Sequence, residues 1–238
     1  MKPRILFFDI ETRPMKGYFF GLRDQNIGLN QVEQFGSTSC IGMKWSDSRE
    51  VKFLSIWQHG HTEMLRQFHE AWCEADAVSG YNNNKFDNKK LQGEMVKACL
   101  PPLPPVTSID LYLTVRSQFG FDSNKLDHVA QLLGLGCKVK HDGFELWRKV
   151  EEGCPKAQAK MERYCKQDVR LTERVYKRIR PFIRNHPHLG FTSPVACGSC
   201  GSHRTQKRGV RRTKAMIIER IHCQECSSWF DGKKARAA

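Results

Sequence analysis

The chain has 238 residues, of which 39% are hydrophobic and 27% charged. This composition excludes a disordered or membrane-embedded protein and leaves room for one ordinary domain with a small addition. The net charge of +14 favours a polyanionic partner, nucleic acid first, although a solvated basic surface without a partner gives the same charge. The N-terminal apolar stretch is interrupted at Asp9 and Glu11, too early for a secretory signal. We therefore expect no membrane partner and a cytoplasmic location.

Apolar and aromatic residues predict five strands before the chain becomes mainly helical. The second and third strands are joined in hairpin fashion at Ser46, and helical spacing then alternates with strands. From Leu126 onward helices dominate, and the longest is predicted over residues 156–183, closed by His186 and Pro187. This order predicts an α/β fold with a mixed sheet flanked by helices. The strands are expected near residues 4–10, 38–45, 51–57, 77–81 and 106–111, and further helices near residues 64–72 and 89–99.

A change of composition near residue 190 divides the chain. Residues 185–194 contain two prolines and a glycine, which stop helices and are typical of a linker. From residue 188 to the end, ten Lys or Arg face three Asp or Glu, so this tail carries half of the net charge. We predict one domain over residues 1–189 and a small basic domain over residues 190–238.

Two carboxylates flank Ile10 at the end of the first predicted strand. Asp9 and Glu11 are two residues apart and therefore project to the same face. Like charges held this close repel unless a proton or a cation separates them, which favours a divalent metal ion. An exposed acidic strand end is the alternative.

Two further segments offer acids, and each is ambiguous alone. Asn82 to Asp87 lies at a strand-to-helix transition, where an Asp is also expected as a helix N-cap. Tyr164 and Asp168 are four residues apart and share one face of the long helix, as surface pairs often do by chance.

In chain order, Asp9-x-Glu11, Asn82-x-x-x-Phe86-Asp87 and Tyr164-x-x-x-Asp168 resemble the three exonuclease motifs of the DEDDy subgroup of 3′-5′ exonucleases. The resemblance covers residues 4–185 and is to the proofreading domain of family B DNA polymerases and its stand-alone relatives. It implies a ribonuclease H-like fold, with a mixed five-stranded sheet flanked by helices.

The resemblance also implies roles for these residues. Asp9, Glu11 and Asp168 would hold one Mg²⁺ or Mn²⁺ ion, and Asp9 with Asp87 a second. Tyr164 would orient the attacking water or help to deprotonate it. Asn82 and Phe86 would position the 3′-terminal nucleotide.

The expected activity is removal of nucleotides from the 3′ end of single-stranded DNA, in a bacterium or a phage-infected host cell. Two alternatives remain open at this point. One is an exoribonuclease with the same chemistry. The other is a zinc-dependent nucleic-acid-binding module on a nuclease-like scaffold that has lost activity.

Ten cysteines in a chain without a secretory signal argue against a disulfide framework. Four of them form two C-x-x-C pairs with 22 residues between the pairs, a spacing typical of a tetrathiolate zinc site. The segment resembles a zinc ribbon with one structural Zn²⁺ ion, and hairpin strands are expected near residues 204–207 and 215–222. Gly201 suits the first knuckle, whereas Ser227 replaces the glycine often found after the second; a redox C-x-x-C role is the alternative. The four candidate zinc ligands are Cys197, Cys200, Cys223 and Cys226.

The predicted ribbon is rich in cations and has two aromatic residues nearby, Trp229 and Phe230. Such a surface suits phosphate contacts and stacking on exposed bases. Docking of a replication or repair protein is the alternative. The candidate phosphate-binding residues are Arg208, Arg211, Arg212 and Lys214. Two His-x-His pairs, at residues 59–61 and 186–188, lack companion ligands and are expected to be solvated or capping histidines.

Overall fold

The computed structural model describes residues 3–21, 23, 26–184, 186–189 and 196–236. Within these residues the strands are β1 (Ile5–Thr12), β2 (Lys16–Gly17), β3 (Val32–Gln34), β4 (Thr38–Trp45), β5 (Lys52–Ser55), β6 (Ala77–Gly80), β7 (Thr107–Asp110), β8 (Thr205–Arg212), β9 (Met216–Cys223) and β10 (Trp229–Arg236). The largest sheet has five strands in the order β5-β4-β1-β6-β7, and β2 pairs with β3.

The α-helices of the described residues cover both faces of this sheet. They are α1 (Ile56–His59), α2 (His61–Cys73), α3 (Asp87–Lys97), α4 (Leu111–Gln118), α5 (Leu126–Leu132), α6 (Phe144–Glu151) and α7 (Pro155–Ile179). Short 3-10 helices lie at Leu29–Gln31 and Arg180–Phe182. None of these helices is both long enough and apolar enough to cross a membrane.

The central strand β1 makes the sheet mixed. It pairs antiparallel with β4 and parallel with β6, and β6 pairs parallel with β7. The expected mixed five-stranded sheet flanked by helices is therefore confirmed.

Strand β1 is apolar on both faces because helices cover both faces of the sheet. Phe7 points to α7, where its ring centroid lies 5.3 Å from that of Tyr176. Phe8 points to α2, where its ring lies 5.7 Å from that of Trp72. Side chains alternate along a strand, so Asp9 and Glu11 continue the face of Phe7 and point toward α7.

A glycine in β4 lets α7 approach the sheet beside Asp9. Gly42 is the cross-strand partner of Asp9. A Cβ atom at position 42 would lie 2.9 Å from Sγ of Cys165 and 3.0 Å from a methyl carbon of Val169, both on α7. Because such contacts are too close, a larger residue at position 42 would push α7 away from β1.

Several predicted boundaries differ from those observed. The strand expected over residues 51–57 ends at Ser55, and the next residues begin α1. Helix α4, which follows Asp110, was not predicted. The long helix ends at Ile179 rather than near residue 183, because Pro181 lacks the backbone N–H that a continuing α-helix needs.

The C-terminal strands form a separate three-stranded antiparallel sheet in the order β10-β9-β8. The sequence predicted a hairpin, and the third strand, β10, was not expected. The buried cluster here consists of cysteines with Phe230 packed against them. The sheet and the cysteines are compatible with a zinc ribbon. The domain boundary expected at residue 190 lies outside the described residues.

Candidate active site

Three of the predicted acids meet between β1 and α7. Each of Asp9, Glu11 and Asp168 offers a carboxylate oxygen, and these three oxygens all lie within 4.8 Å of one another. Strand alternation places the first two on the face toward α7, and the packing of α7 over Gly42 brings the third to them. The exposed strand end considered as an alternative is therefore not what the structure has.

The fourth acid, Asp87, lies next to this group but outside the 4.8 Å cluster. It is the first residue of α3, and Phe86 is the N-cap residue. The Oδ1 atom of Asp87 accepts a hydrogen bond from the backbone N–H of Ile10 at 3.3 Å, between the two acids of β1. Its side chain thus points to the strand rather than serving as the N-cap.

Burial and mutual repulsion disfavour the ionised forms of these acids. The pKa of Asp9 is raised well above its usual range, by burial first and then by Asp168, Glu11 and Asp87. Burial likewise raises the pKa of Glu11 to about 8 and that of Asp87 to about 6. The pKa of Asp168 is also raised by burial, against the opposing effect of Lys138.

Two buried carboxylate oxygens have no hydrogen-bond partner among the residues that the structure describes. These are Oδ2 of Asp9 and Oδ1 of Asp168. A buried acceptor without a donor is costly, and a cation bound between the two oxygens would remove that cost. Carboxylate oxygens are the ligands that Mg²⁺ and Mn²⁺ prefer, so the residues present fit such an ion.

The structure adds a cation that the sequence analysis missed. Nζ of Lys138 lies 2.6 Å from Oδ2 of Asp168 and donates to the phenol oxygen of Tyr164 at 3.2 Å. Lys138 belongs to the loop between α5 and α6. Its backbone N–H donates a hydrogen bond of 2.7 Å to the Asp127 carboxylate, which anchors this loop. No sequence motif marks this lysine.

Tyr164 borders the acids at the edge of a cleft. Its ring packs edge-on against His141 at 5.0 Å and Trp147 at 5.9 Å. Burial, followed by the charge of Asp168, raises the pKa of Tyr164 above its ordinary value. The phenol is thus held in place as a neutral hydroxyl group beside the carboxylates.

The cleft in front of the acids has a volume of about 920 Å³. Asn82 and Phe86, the residues predicted to position the 3′-terminal nucleotide, both line it, and the Phe86 side chain is 47% exposed. Asn82 has a positive φ of 70°, and its backbone N–H donates to Asp110 at 3.0 Å. Four cations also line the cleft: Lys85, Arg116, Lys125 and Lys138.

The four paired cysteines converge in the C-terminal sheet. One thiolate sulphur from each of Cys197, Cys200, Cys223 and Cys226 lies within 4.8 Å of the others, and all four are free of disulfides. Four sulphurs converging in this way fit a tetrahedral Zn²⁺ ion.

The two knuckles have the same backbone turn conformation. Gly201 has a φ of 72° and donates to the carbonyl of Cys197 at 2.8 Å. Ser227 has a φ of 60° and donates to the carbonyl of Cys223 at 3.0 Å. The serine that departs from the ribbon pattern thus adopts the conformation of the glycine it replaces.

The predicted phosphate-binding residues of the ribbon are all exposed, but one of them already forms an ion pair within the ribbon. Arg211 forms a two-pronged ion pair with Asp231, at 3.1 and 2.7 Å. For Arg208, Arg212 and Lys214 no ion pair is found with the described residues. Of the predicted set, Arg211 is therefore the one least free to contact phosphate.

The His-x-His pairs do not join a metal-binding group among the described residues. His61 instead contacts Glu94 at 2.7 Å, and His186 contacts the hydroxyl of Tyr176 at 2.8 Å.

Comparisons with known proteins agree with the architecture. A structural comparison finds similarity to the family B DNA polymerase of the hyperthermophilic archaeon Pyrobaculum calidifontis, with a TM-score of 0.59 and 22% identity. The match covers 76% of this chain and 25% of the polymerase, so this chain spans about a quarter of that protein. At this identity the similarity concerns the fold. No curated protein matches the sequence.

A family comparison is more specific. The family model RNase_H_2, described as RNase_H superfamily, matches residues 6–180. Together with the fold, this match supports a nuclease that binds nucleic acid. Because the match covers well over half of the chain, the protein belongs to the RNase H superfamily.

Proposed function

We propose that the protein is a metal-dependent 3′-5′ exonuclease of the DEDDy type, acting on single-stranded DNA. The observation that carries the proposal is the convergence of Asp9, Glu11 and Asp168 with two buried carboxylate oxygens that lack partners. Asp87 and Tyr164 border this group, and their position supports the same proposal.

The acids would serve as ligands for two divalent ions. Asp9, Glu11 and Asp168 would hold one Mg²⁺ or Mn²⁺ ion, and Asp9 with Asp87 the other. Such ions, when bound, lower the pKa of a bound water and stabilise the charge on the leaving oxygen.

The remaining residues would position water and substrate. Tyr164, whose ring packs against those of His141 and Trp147, would orient the attacking water through its hydroxyl group. Phe86 is exposed in the cleft and would stack on the 3′-terminal base, and Asn82 beside it would help to hold that nucleotide.

The basic ribbon would add affinity for the strand. Arg208, Arg212 and Lys214 are exposed and suit phosphate contacts, which weaken as salt rises. One Zn²⁺ ion held by the four cysteines would supply much of the folding free energy of this small sheet. Docking of a replication or repair protein is the alternative role for the ribbon.

The direct test is degradation of 5′-labelled single-stranded DNA and RNA of identical sequence, with Mg²⁺, Mn²⁺ or no added divalent ion. We expect a metal-dependent ladder that shortens from the 3′ end of the DNA. Faster degradation of RNA would assign an exoribonuclease, and intact substrates under every condition would contradict an enzyme and favour the binding module.

Two variants assign the chemistry to this site. Asp168→Ala should abolish cleavage, because it removes a ligand of the expected ion. Tyr164→Phe keeps the ring that packs against His141 and Trp147 but removes the hydroxyl group, so the rate should fall about 10²-fold or more while Mn²⁺ binding is retained. Full activity in Asp168→Ala would rule out the assignment.

A further inference from the structure

An exposed tryptophan, a guanidinium group and a histidine ring form one cluster on the ribbon. The side chain of Trp229 is 52% exposed. The guanidinium carbon of Arg220 lies 5.5 Å from the centre of its ring, and the His222 ring lies 4.7 Å away at an angle of 34°. Strand pairing places Trp229 opposite His222 and Asp231 opposite Arg220, so all four residues share one face of the sheet.

The charge on this face is positive. Its acid, Asp231, is already neutralised by the two-pronged ion pair with Arg211. Arg220 forms no ion pair with the residues that the structure describes. Its guanidinium group makes a cation–π contact with the Trp229 ring. An anion that approaches the ring therefore meets an unpaired guanidinium group.

This face forms one wall of a cleft of about 680 Å³. The opposite wall is the segment that follows α7, including Arg184 and His188. That segment is fixed to the zinc knuckle, because the backbone N–H of Leu189 donates to the carbonyl of Gly198 at 2.6 Å. A Cβ atom on Gly198 would lie 2.7 Å from the His188 ring, so this segment packs closely against the knuckle.

The ribbon cleft and the cleft in front of the acids each share a lining residue with a third, smaller cavity. Ile183 borders both the ribbon cleft and a small cavity of about 130 Å³, which Asn84 and Asp110 also line. Leu113 borders that cavity and the cleft in front of Asp9. The small cavity therefore lies between the cleft beside Trp229 and the cleft in front of the acids.

We propose that Trp229 is a base-stacking subsite for single-stranded nucleic acid, with Arg220 and Arg184 contacting phosphates of the same strand. The strand would continue from this subsite through the adjoining cavity to the acids, so that Trp229 holds a nucleotide on the 5′ side of the 3′ end. A stacking ring beside unpaired cations is the arrangement that suits an unpaired base with its phosphate. The direction and the end of this path rest on the proposed exonuclease function.

The test measures binding by fluorescence anisotropy on the zinc-loaded full-length protein without added Mg²⁺ or Mn²⁺. The probes are two 5′-labelled oligothymidylates, of about 4 and about 16 nucleotides, chosen to fill one cleft or the whole path. Trp229→Ala should weaken binding of the long strand by roughly 5- to 100-fold and binding of the short strand by less, because the short strand can also bind in the cleft in front of the acids. Trp229→Phe, which keeps a ring, should retain most of the affinity, and zinc content would verify that each ribbon is folded.

Charge is tested with a matched pair of variants. Arg220→Gln should lower the slope of log affinity against log salt by about 0.7 for the long strand. Arg66→Gln removes the same charge from α2, where Arg66 is paired with Glu63 and Glu70, and should leave the slope unchanged. Equal slopes in the two variants would contradict a phosphate contact at Arg220.

Failure of this inference can be told from failure of the proposed function. Because binding is read without cleavage, loss of long-strand affinity in Trp229→Ala supports the subsite even if no cleavage is found. Unchanged affinity for the long strand overturns the subsite, and equal loss for both strands overturns its path to the acids, while an active enzyme remains an exonuclease.

Discussion

Lys138 and Asp168 form an ion pair inside the candidate active site, with 2.6 Å between Nζ and Oδ2. The carboxylate is almost fully buried, whereas the lysine side chain is 31% exposed. The same ammonium group lowers the pKa of Asp9 and Glu11, so it opposes the repulsion among the acids. A single lysine thus supplies part of the positive charge that this group of carboxylates requires.

Replacement of this lysine should destabilise the metal-free protein. Lys138→Gln leaves buried carboxylates without their cation, and we expect the free energy of unfolding near pH 7 to fall by about 1–3 kcal/mol, less than for a fully buried pair because Lys138 is partly exposed. Chemical denaturation would measure the change, and added Mn²⁺ should restore more stability to the variant than to the wild type.

Lys149→Gln is the matched control. Lys149 pairs with Glu145 at 3.2 Å on the surface of α6, where loss of the pair should cost under about 0.5 kcal/mol. Similar losses in the two lysine variants would contradict the role of Lys138 as counter-charge.

Replacement of Asp9 should abolish activity and increase the stability of the metal-free protein. Its ordinary ionised form is disfavoured by burial and by three neighbouring acids, and Asp9→Asn removes that charge while keeping the shape. We expect this variant to lose metal-dependent cleavage and to gain about 0.5–2 kcal/mol of stability without metal. Because the pKa of Asp9 is raised in the folded state, the gain should be larger at pH 8 than at pH 5. A variant that is inactive and also less stable at both pH values would count against this explanation.

The affinity of the acids for a metal ion should depend on pH, in the range set by the pKa of Glu11. Its pKa rises from 4.5 in the unfolded chain to about 8 in the metal-free fold, so its contribution to stability is present below pH 4.5 and is lost as the pH rises through 8. An ion that needs the carboxylate must displace this proton, and binding therefore strengthens as the pH rises. The rise in melting temperature caused by Mn²⁺ should be larger at pH 8 than at pH 6 in zinc-loaded protein, and small in Asp9→Asn. Equal rises at both pH values would contradict a protonated metal-free site.

Local periodicity was enough to predict most of the acidic group. The two-residue repeat of β1 places Asp9 and Glu11 on one face, and the helical repeat of α7 does the same for Tyr164 and Asp168. The start of α3 at Asp87 also follows from local signals, although its bond to Ile10 depends on the packing of α3 against β1. These residues lie within regular elements, whose geometry repeats.

Contacts made by loops and by the ribbon could not be predicted in this way. Lys138 reaches Asp168 from an irregular loop whose anchor, Asp127, is 11 residues away. Strand β10 contains Asp231, Gly232 and a run of lysines, so it lacks the alternating apolar pattern of a strand and is defined by its pairing with β9. The cleft beside Trp229 likewise exists only because segments distant in sequence pack together.

Ser227 provides a test of the zinc knuckles that is independent of catalysis. Its φ of 60° lies in the left-handed region, which costs a residue with a Cβ atom about 1–2 kcal/mol and costs glycine little. Gly201 occupies the equivalent turn of the other knuckle with a φ of 72°. Ser227→Gly should therefore stabilise the ribbon by about 0.5–1 kcal/mol, allowing for the greater freedom of glycine in the unfolded chain.

The reciprocal variant gives the opposite expectation. Gly201→Ser introduces the same strain into the first knuckle and should destabilise the ribbon by about 0.5–1 kcal/mol, after the same allowance for the freedom of glycine in the unfolded chain. Competition with a zinc chelator measures both effects, because the folding free energy of so small a sheet is coupled to the binding of its ion. Ser227→Gly should release zinc at a higher chelator concentration than the wild type, and Gly201→Ser at a lower one. If both variants release zinc at the wild-type concentration, the backbone of the knuckles does not limit the stability of the site.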